Sequence, residues 1–525
     1  MAGLFTFLSE EGPMQKSLEF DTLDQFFAKR ILKENYNKEA ANFLSLMMQM
    51  TRLGHLCWKF SEVPPLPNGV IEEGKDLSHK APIIQEGDRF YLNRNWVYET
   101  YILNKVKKLS RVKPEDSDEK IFHESLINST LNPLQKKAVQ KAFDHSLALI
   151  CGGPGTGKTF TAGSFIRFLL KASKKEGYKI CLAAPTGKAA SHLESTLLKE
   201  GGVEALIETT TLHRLLRITP GENRLFSNRK IDADLVVVDE ASMLEVPLLA
   251  QLLDSIGDGT RLLLMGDADQ LPPIEEGSLF VEMGELFGTH LETSMRTDKA
   301  HLHDLAKSIN EGAYPQWSKG AEHLAWTFDS HLALRLYHAI DPFISSERPE
   351  VEILFEKMNQ FRVLGALRQG PFGIDILNEQ IVTEMGKKIG THQWWMVPIM
   401  IKTNEVRLDL YNGSCGIMVG QSKGGIDFSE AVAYFPNLDA PINFKSLPPF
   451  EVAFCLSIHK SQGSEFDKVL ALFPEGSENF GREAFYTAVT RAKSSVEIVG
   501  REETLRSMLS QRSRRISGFL ERFLL

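Results

Sequence analysis

Short apolar runs that break off in turns recur through most of this chain. Residues 147–150, 180–183, 235–238 and 261–265 are largely apolar, without the alternation of a half-solvated strand, and each ends in a turn bearing glycine, proline or acid. Such runs read as strands buried on both faces, and apolar positions at helical spacing follow the first two. Repetition of strand, turn and helix predicts a parallel α/β sheet whose loops gather at the carboxyl ends, where open α/β sheets bind ligands. The signals resume at 361–367 and return at Ile458 and through 486–493, so a second α/β body follows the first. Between about 398 and 454, short strands separated by Gly413, Gly416, Gly420, Gly424 and Gly425 predict a small antiparallel barrel inserted in that body. Ahead of residue 115 the pattern is mainly helical. Thr22 and Gln25 form a capping box before Leu23, Phe26, Phe27 and Ile31, and a second helix starts at Asn37 and carries Phe43, Leu44, Met47 and Met48. A hairpin over 82–92 turns at Gly87. The expected division is therefore an N-terminal domain over 1–115 and a polar linker over 116–130. The first body follows over 131–300, with a small hairpin insertion about 205–232, and the second over 301–525.

Composition narrows the setting. The 525 residues are 42% hydrophobic and 24% charged, an ordinary globular balance with length for several domains. A formal net charge of −8 does not advertise a nucleic-acid partner, although a basic channel can run through an acidic protein. Five scattered cysteines without a C-x-x-C pair argue against a disulfide framework or structural zinc and fit a reducing cytoplasm. No basic leader and no apolar run of about 18 residues is present, so neither export nor membrane association is expected.

Candidate chemistry concentrates at the turn after the first strand. Gly152-Gly153-Pro154-Gly155-Thr156-Gly157-Lys158-Thr159 has the spacing of a phosphate-binding loop. Glycines let the backbone aim its N–H groups at phosphates, Lys158 supplies a charge to the β- and γ-phosphates, and Thr159 a hydroxyl to Mg²⁺. The strand over 235–238 delivers Asp239 and Glu240 together, one to hold the metal and one to orient and deprotonate the attacking water. Gln135 stands where its amide could read an adenine edge, or simply begin a helix over 136–143. Gln270 follows the next strand, within reach of a γ-phosphate and of the neighbouring body, and Arg296 lies just beyond.

Six stretches in order resemble the motifs of superfamily 1 DNA helicases: the phosphate loop, Ala184-Pro185-Thr186-Gly187-Lys188-Ala189-Ala190, Val238-Asp239-Glu240-Ala241-Ser242-Met243, Gly266-Asp267-Ala268-Asp269-Gln270-Leu271, Ile458-His459-Lys460-Ser461-Gln462-Gly463-Ser464-Glu465-Phe466 and Tyr486-Thr487-Ala488-Val489-Thr490-Arg491-Ala492-Lys493. Within that superfamily the chain resembles the RecD family, the α subunit of exodeoxyribonuclease V, from about residue 80 to 500. Residues 86–92 with Trp96 and Glu99, residues 367–373 and Leu410-Tyr411-Asn412-Gly413 add to the likeness. The resemblance implies two RecA-like domains of the P-loop NTPase type, an SH3-like form for the inserted barrel, and ATP and Mg²⁺ as cofactors. It implies 5′-to-3′ movement on single-stranded and tailed double-stranded DNA, and β and γ partner subunits, one of them the nuclease, in double-strand break repair and recombination. A self-sufficient RecD-like helicase and an ATPase switch that clamps DNA without unwinding it are the alternatives. By the same resemblance Gln135 would contact adenine, Phe160 and Glu465 would join the nucleotide site, and Thr159 and Asp239 would hold the metal. Lys158, Glu240, Gln270, Arg296 and Arg491 would serve catalysis, and Thr186, Lys188, Thr211, His213, His459 and Ser461 would line the DNA path. Residues 1–115 would dock the partner. Two positions depart from the family pattern, Ser414 in place of aspartate and Trp395-Met396-Val397 in place of a more polar segment.

Overall fold

The computed structural model describes residues 20–525 except 61, 76, 188, 191–192, 196–205, 219–228, 274–275, 293–299, 341–343 and 513–514, and at 406 the backbone alone. The core of the hairpin expected about 205–232, with its turn at 219–223, and the site candidates Lys188 and Arg296 lie outside the described residues.

The N-terminal region pairs two helices, Thr22–Leu32 and Lys38–Arg52, with a four-stranded sheet of order β1-β4-β3-β2: β1 Cys57–Lys59, β2 Ile71–Glu73, β3 Ile83–Glu86 and β4 Arg89–Leu92. Only the β3–β4 hairpin, turning at Gly87 with φ 62°, was legible beforehand; β1 and β2 are three residues each, too short to show a period. The first helix is capped one position earlier than expected. Asp21 and Asp24 form the box, because Arg52 reaches the buried Asp24 carboxylate at 2.7 Å and holds it at the helix start. Asn37 caps the second helix, accepting from Ala40 N–H at 2.7 Å, an arrangement worth about 1 kcal/mol. Phe43, Leu44 and Met47 pack on Ile83 and Phe90 of the sheet.

The first body is a parallel sheet of order β10-β5-β9-β8-β6-β7, with β5 Leu147–Gly152, β6 Lys179–Ala184, β7 Leu206–Thr211, β8 Leu235–Val238, β9 Arg261–Gly266 and β10 Gly288–Leu291. Alternate residues of β5, β8 and β9 enter two separate cores, one holding Leu147, Leu149, Val236 and Leu262, the other Ala148, Ile150, Val237 and Leu263. Burial on both faces is why these strands read as unbroken apolar runs.

What covers those faces corrects two expected boundaries. Helix Asn93–Leu109 lays Tyr98, Ile102, Leu103 and Val106 on one face, beside Phe519 from near the end of the chain, so neither 115 nor 525 marks the edge of an independent unit. Residues 116–130, expected as a linker, are packed on the other face. Phe122 of the helix Glu119–Ile127 is fully buried and stacks on Phe143 at 3.8 Å, and Asp116 pairs at 2.7 Å with Arg261, itself 1% exposed. Breaking a buried pair of this kind costs about 3–5 kcal/mol, because it leaves a guanidinium without its counter-charge. Its acids, with Pro114 just ahead, had made the stretch look solvated; one of those acids is the counter-ion of a buried arginine.

The second body is parallel too, of order β11-β21-β20-β13-β19, with β11 Ala321–Leu324, β13 Phe361–Gly365, β19 Cys455–Ser457, β20 Phe466–Phe473 and β21 Ala492–Gly500. Between β13 and β19 the chain leaves for an antiparallel sheet, in which β14 Trp394–Ile401 pairs with β15 Cys415–Gln421 and β18 Phe450–Val452, and β16 Val432–Tyr434 and β17 Ile442–Asn443 continue from β15. β12 Ile344–Ser345, from ahead of β13, joins this sheet by pairing with β14, and the inserted strands begin at 394 and not 398. Trp395 is the reason: it is fully buried opposite Gly420, where a Cβ would stand 2.3 Å from the indole. The apolar departure at 395–397 is thus a strand core. Ser414 closes the turn before β15, its Oγ accepting from Tyr411 N–H at 3.0 Å. Among the described residues no helix is long and apolar enough to cross a membrane.

Candidate functional site

Parallel strands put the ends of β5, β8 and β9 on one edge of the first sheet, and the nucleotide loop forms there. Gly155 and Gly157 take φ 77° and 84°, left-handed values open to glycine at little cost, and Gly157 caps the helix Lys158–Ala172. A Cβ on Gly152 would stand 2.7 Å from Thr156 Oγ1 and 2.8 Å from Leu291 O, so the loop closes only around glycine. Thr156 is buried and donates to Gly153 O at 2.8 Å. The Lys158 ammonium folds back onto the loop, donating to Gly152 O at 2.5 Å and Gly153 O at 3.1 Å. Pro154, Thr159 and Phe160 are half-buried around it.

Beyond β9, the end of β8 presents Asp239 and Glu240. Asp239 Oδ1 accepts from Glu240 N–H at 2.8 Å, and Glu240 has φ 53°, a left-handed value that non-glycine residues keep only where the surroundings enforce it. Burial raises the Glu240 carboxyl above its ordinary value, Asp239 raises it further, and Arg491 and Lys158 oppose the rise. Glu240 therefore stands in the field of one cation from each lobe.

The lobes meet at the turn after β9. Asp267 is buried, and its Oδ2 accepts from Gln270 Nε2 at 3.1 Å and from the Tyr486 hydroxyl of the second lobe at 3.0 Å. Leu271 donates its N–H to Thr487 Oγ1 at 2.9 Å, and its carbonyl accepts from Gln462 Nε2 at 2.7 Å. Contact with the neighbouring lobe, expected of the Gln270 side chain, is thus made by the backbone of the next residue, while Gln270 Oε1 stays buried without a partner. Arg491 follows the helix Gly481–Thr490. It is 2% exposed, its Nη1 donates to Ser464 O at 3.3 Å, and its Nε has no partner. Glu465, next to Ser464, is half-buried. Gln135 is buried in a reciprocal box with Asn132, its Oε1 accepting from Asn132 N–H at 3.1 Å and its Nε2 left without a partner. The helix-start and nucleotide readings of Gln135 are compatible, since they use different atoms of one amide.

Asp267, Gln462, Tyr486 and Thr487 were not singled out from sequence, although all lie inside the quoted motifs; their role depends on pairing across lobes, which no spacing encodes.

The candidates for a DNA path are placed unevenly. Thr186 Oγ1 accepts from Ala189 N–H at 3.3 Å and lies 3.4 Å from where a Cβ on Gly463 would be, so two motifs from different lobes touch. Thr211 is buried and caps the short helix Leu212–Leu215, leaving His213 exposed beside Arg214. Arg214 lies 5.8 Å over the ring of Tyr411 from the inserted sheet. His459 is half-buried, and burial with the Arg515 guanidinium pushes its imidazole down to about 4, so at neutral pH it carries no charge to a phosphate. Ser461 is fully buried and donates its hydroxyl to Ile458 O at 2.7 Å.

Residues 135–276 match the family model described as an AAA domain, and residues 452–499 that of the UvrD-like helicase C-terminal domain. These two stretches span the cleft from Gln135 to Gln270 and from His459 to Arg491. The RecBCD enzyme subunit RecD of Mycolicibacterium smegmatis is 32% identical over 473 residues, covering 83% of this chain and 82% of that protein. The protein of the same name from Haemophilus influenzae is 29% identical, covering 83% and 80%. The ATP-dependent RecD2 DNA helicase of Deinococcus radiodurans is 28% identical over 75% of this chain but only 52% of its own length. With the first of these relatives alike over four fifths of both proteins, the chain belongs to the RecD family.

Proposed function

We propose that this chain is an ATP-hydrolysing superfamily 1 DNA helicase that moves 5′ to 3′ on single-stranded DNA. In this reading it is the α subunit of an exodeoxyribonuclease V type of complex in the cytoplasm, with β and γ subunits as partners and the nuclease on one of them. The observation that carries it is the meeting of the two lobes at the phosphate loop, where the Tyr486 hydroxyl bonds Asp267 at 3.0 Å and abuts Gly153, five residues ahead of the buried Arg491. ATP suits the residues present: a glycine loop with two left-handed positions, a lysine held on the loop's own carbonyls, and a buried amide nitrogen at Gln135 without a partner. Phosphates would draw Lys158 off Gly152 and Gly153 and satisfy it with charge. Thr159 and Asp239 would hold Mg²⁺, which ordinarily takes few protein ligands and completes its shell with phosphate and water; the ion supplies neutralisation of phosphate charge. Glu240 takes the proton of the attacking water, and Arg491 stabilises negative charge on the γ-phosphate.

Single-stranded DNA would run across both lobes past Thr186, Lys188, Thr211, His213 and His459. The buried, internally bonded Ser461 serves to shape that wall. With His459 neutral, lysine and arginine carry the phosphate contacts. Binding should therefore weaken with salt at a log–log slope near −0.7 per neutralised phosphate, measured by fluorescence anisotropy on an oligonucleotide. A duplex with a 5′ tail should be unwound and one with a 3′ tail should not. The opposite preference would remove the polarity, and DNA-stimulated hydrolysis without unwinding of either would favour the clamping switch.

The inserted antiparallel sheet is read as SH3-like, and partner docking is assigned to the N-terminal region. Packing of helix Asn93–Leu109 on the first sheet narrows the docking part to the residues before it. There Phe43 and Met47 are covered by the small sheet, but Leu23 and Phe26 on the first helix remain 52% and 59% exposed. A Leu23→Asp, Phe26→Asp variant should keep its DNA-stimulated ATPase and lose co-purification with the β and γ subunits; unchanged assembly would rule out this face.

A further inference from the structure

Tyr486 belongs to the second lobe's helix Gly481–Thr490, five residues before Arg491, yet its hydroxyl lies in the first lobe's nucleotide loop. It is buried, donates to Asp267 Oδ2 at 3.0 Å, and stands 2.7 Å from where a Cβ on Gly153 would be. Real Cβ atoms essentially never approach another atom within 3.0 Å, so Gly153 has to be glycine while Tyr486 keeps this place. The same Asp267 oxygen accepts from Gln270 Nε2, and the adjoining Leu271 and Thr487 form the next interlobe bond. Phosphate loop, β9 turn and the helix leading to Arg491 thus meet around one carboxylate oxygen. Burial and the carboxylates of Asp267 and Asp269 hold the phenol's proton on well beyond its ordinary range, so the group acts as a neutral donor of fixed shape.

We propose that Tyr486 is a positioning residue for hydrolysis: by bonding Asp267 and abutting Gly153 it sets how closely the helix that leads to Arg491 approaches the phosphate loop. The inference rests on the assignment of Arg491 to the γ-phosphate. A helix rises about 1.5 Å per residue, so Arg491, five residues on, lies about 7.5 Å further along a stiff element. A shift at Tyr486 carries through to the guanidinium, and misplacement by about 1 Å is enough to cost on the order of 10²-fold in rate.

The test measures steady-state ATP hydrolysis by the full chain with saturating single-stranded DNA for Tyr486→Phe, Gly153→Ala, the double variant, Asp267→Asn and Arg491→Ala. Tyr486→Phe should lower kcat by about 10-fold, the effect of losing a hydrogen bond to a charged group, with the KM for ATP moving much less. Gly153→Ala drives a methyl group into the hydroxyl. Removing that hydroxyl should relieve it, so the double variant should be faster than Gly153→Ala alone. Independent structural damage would instead multiply the two losses. Wild-type kcat in Tyr486→Phe, or multiplied losses in the double variant, overturns the proposal. Asp267→Asn weakens the same bond from the other lobe and should also lose kcat; wild-type turnover there would overturn it even if a Gly153 variant failed to fold. Arg491→Ala separates the two readings. Its full activity would remove the site assignment itself, whereas an inactive Arg491→Ala beside a normal Tyr486→Phe would remove only the positioning role.

Discussion

Arg491→Ala should lose on the order of 10³- to 10⁵-fold in DNA-stimulated ATP turnover, the range for arginines that reach a transferring phosphoryl group from a neighbouring element. The residue is nearly fully buried at the lobe interface and meets only part of its bonding capacity: Nη1 donates to the Ser464 carbonyl at 3.3 Å, Nη2 to Thr490 Oγ1 at a long 3.5 Å, and Nε has no partner. A desolvated guanidinium left in this condition is poorly satisfied until more negative charge arrives. Charge that grows on the γ-phosphate during transfer supplies it, so the interaction strengthens toward the transition state and belongs in kcat. ATP affinity, measured with a fluorescent analogue, should change only modestly, because Lys158 and the loop amides hold the ground state. A surface arginine on a helix predicts almost no change, and a rate within a few-fold of the parent would support that reading.

Glu240→Gln should bind ATP normally and hydrolyse it about 10²- to 10⁴-fold more slowly, the usual contribution of a general base. The amide keeps the shape of the side chain but cannot take the proton from water. Burial and Asp239 raise the Glu240 carboxyl above its ordinary value of 4.5, while the two cations limit the rise. The direction fixes the sign of the pH dependence. Glu240 acts only when ionised, so kcat/KM, which reports groups of the free enzyme, should fall as pH drops through the raised value. That acid limb should begin at higher pH than an ordinary glutamate would give, and it should be absent from the residual activity of Glu240→Gln. Parent-like turnover, or an unchanged acid limb in the variant, would assign the base elsewhere.

The strands over 147–150, 180–183, 235–238 and 261–265 could be read in advance because a strand buried on both faces has no polar side to interrupt it, and because glycine, lysine and paired acids in the following turns admit few other uses. The N-terminal sheet was less legible. Its β1 and β2 are held by β4 and β3 across more than ten residues of chain, a pairing that leaves no periodicity in three-residue segments. Asp116 read as solvated because nothing near it in sequence announces Arg261, 145 residues away.

By itself the sequence determined the local pattern: which turn has the spacing of a phosphate loop, which strand end carries the two carboxylates, and which motifs mark the family. Those are properties of contiguous residues, set by backbone freedom at glycine and by side-chain type. Tertiary structure alone decided what faces what. It brought Tyr486 against Gly153, Leu271 onto Thr487 and Arg491 into the field of Glu240, gave residues 116–130 to the first lobe, and returned Phe519 to a core begun by helix Asn93–Leu109. Each depends on two segments distant in the chain burying surface together. The free energy of that burial is shared between the partners and is written in neither segment alone.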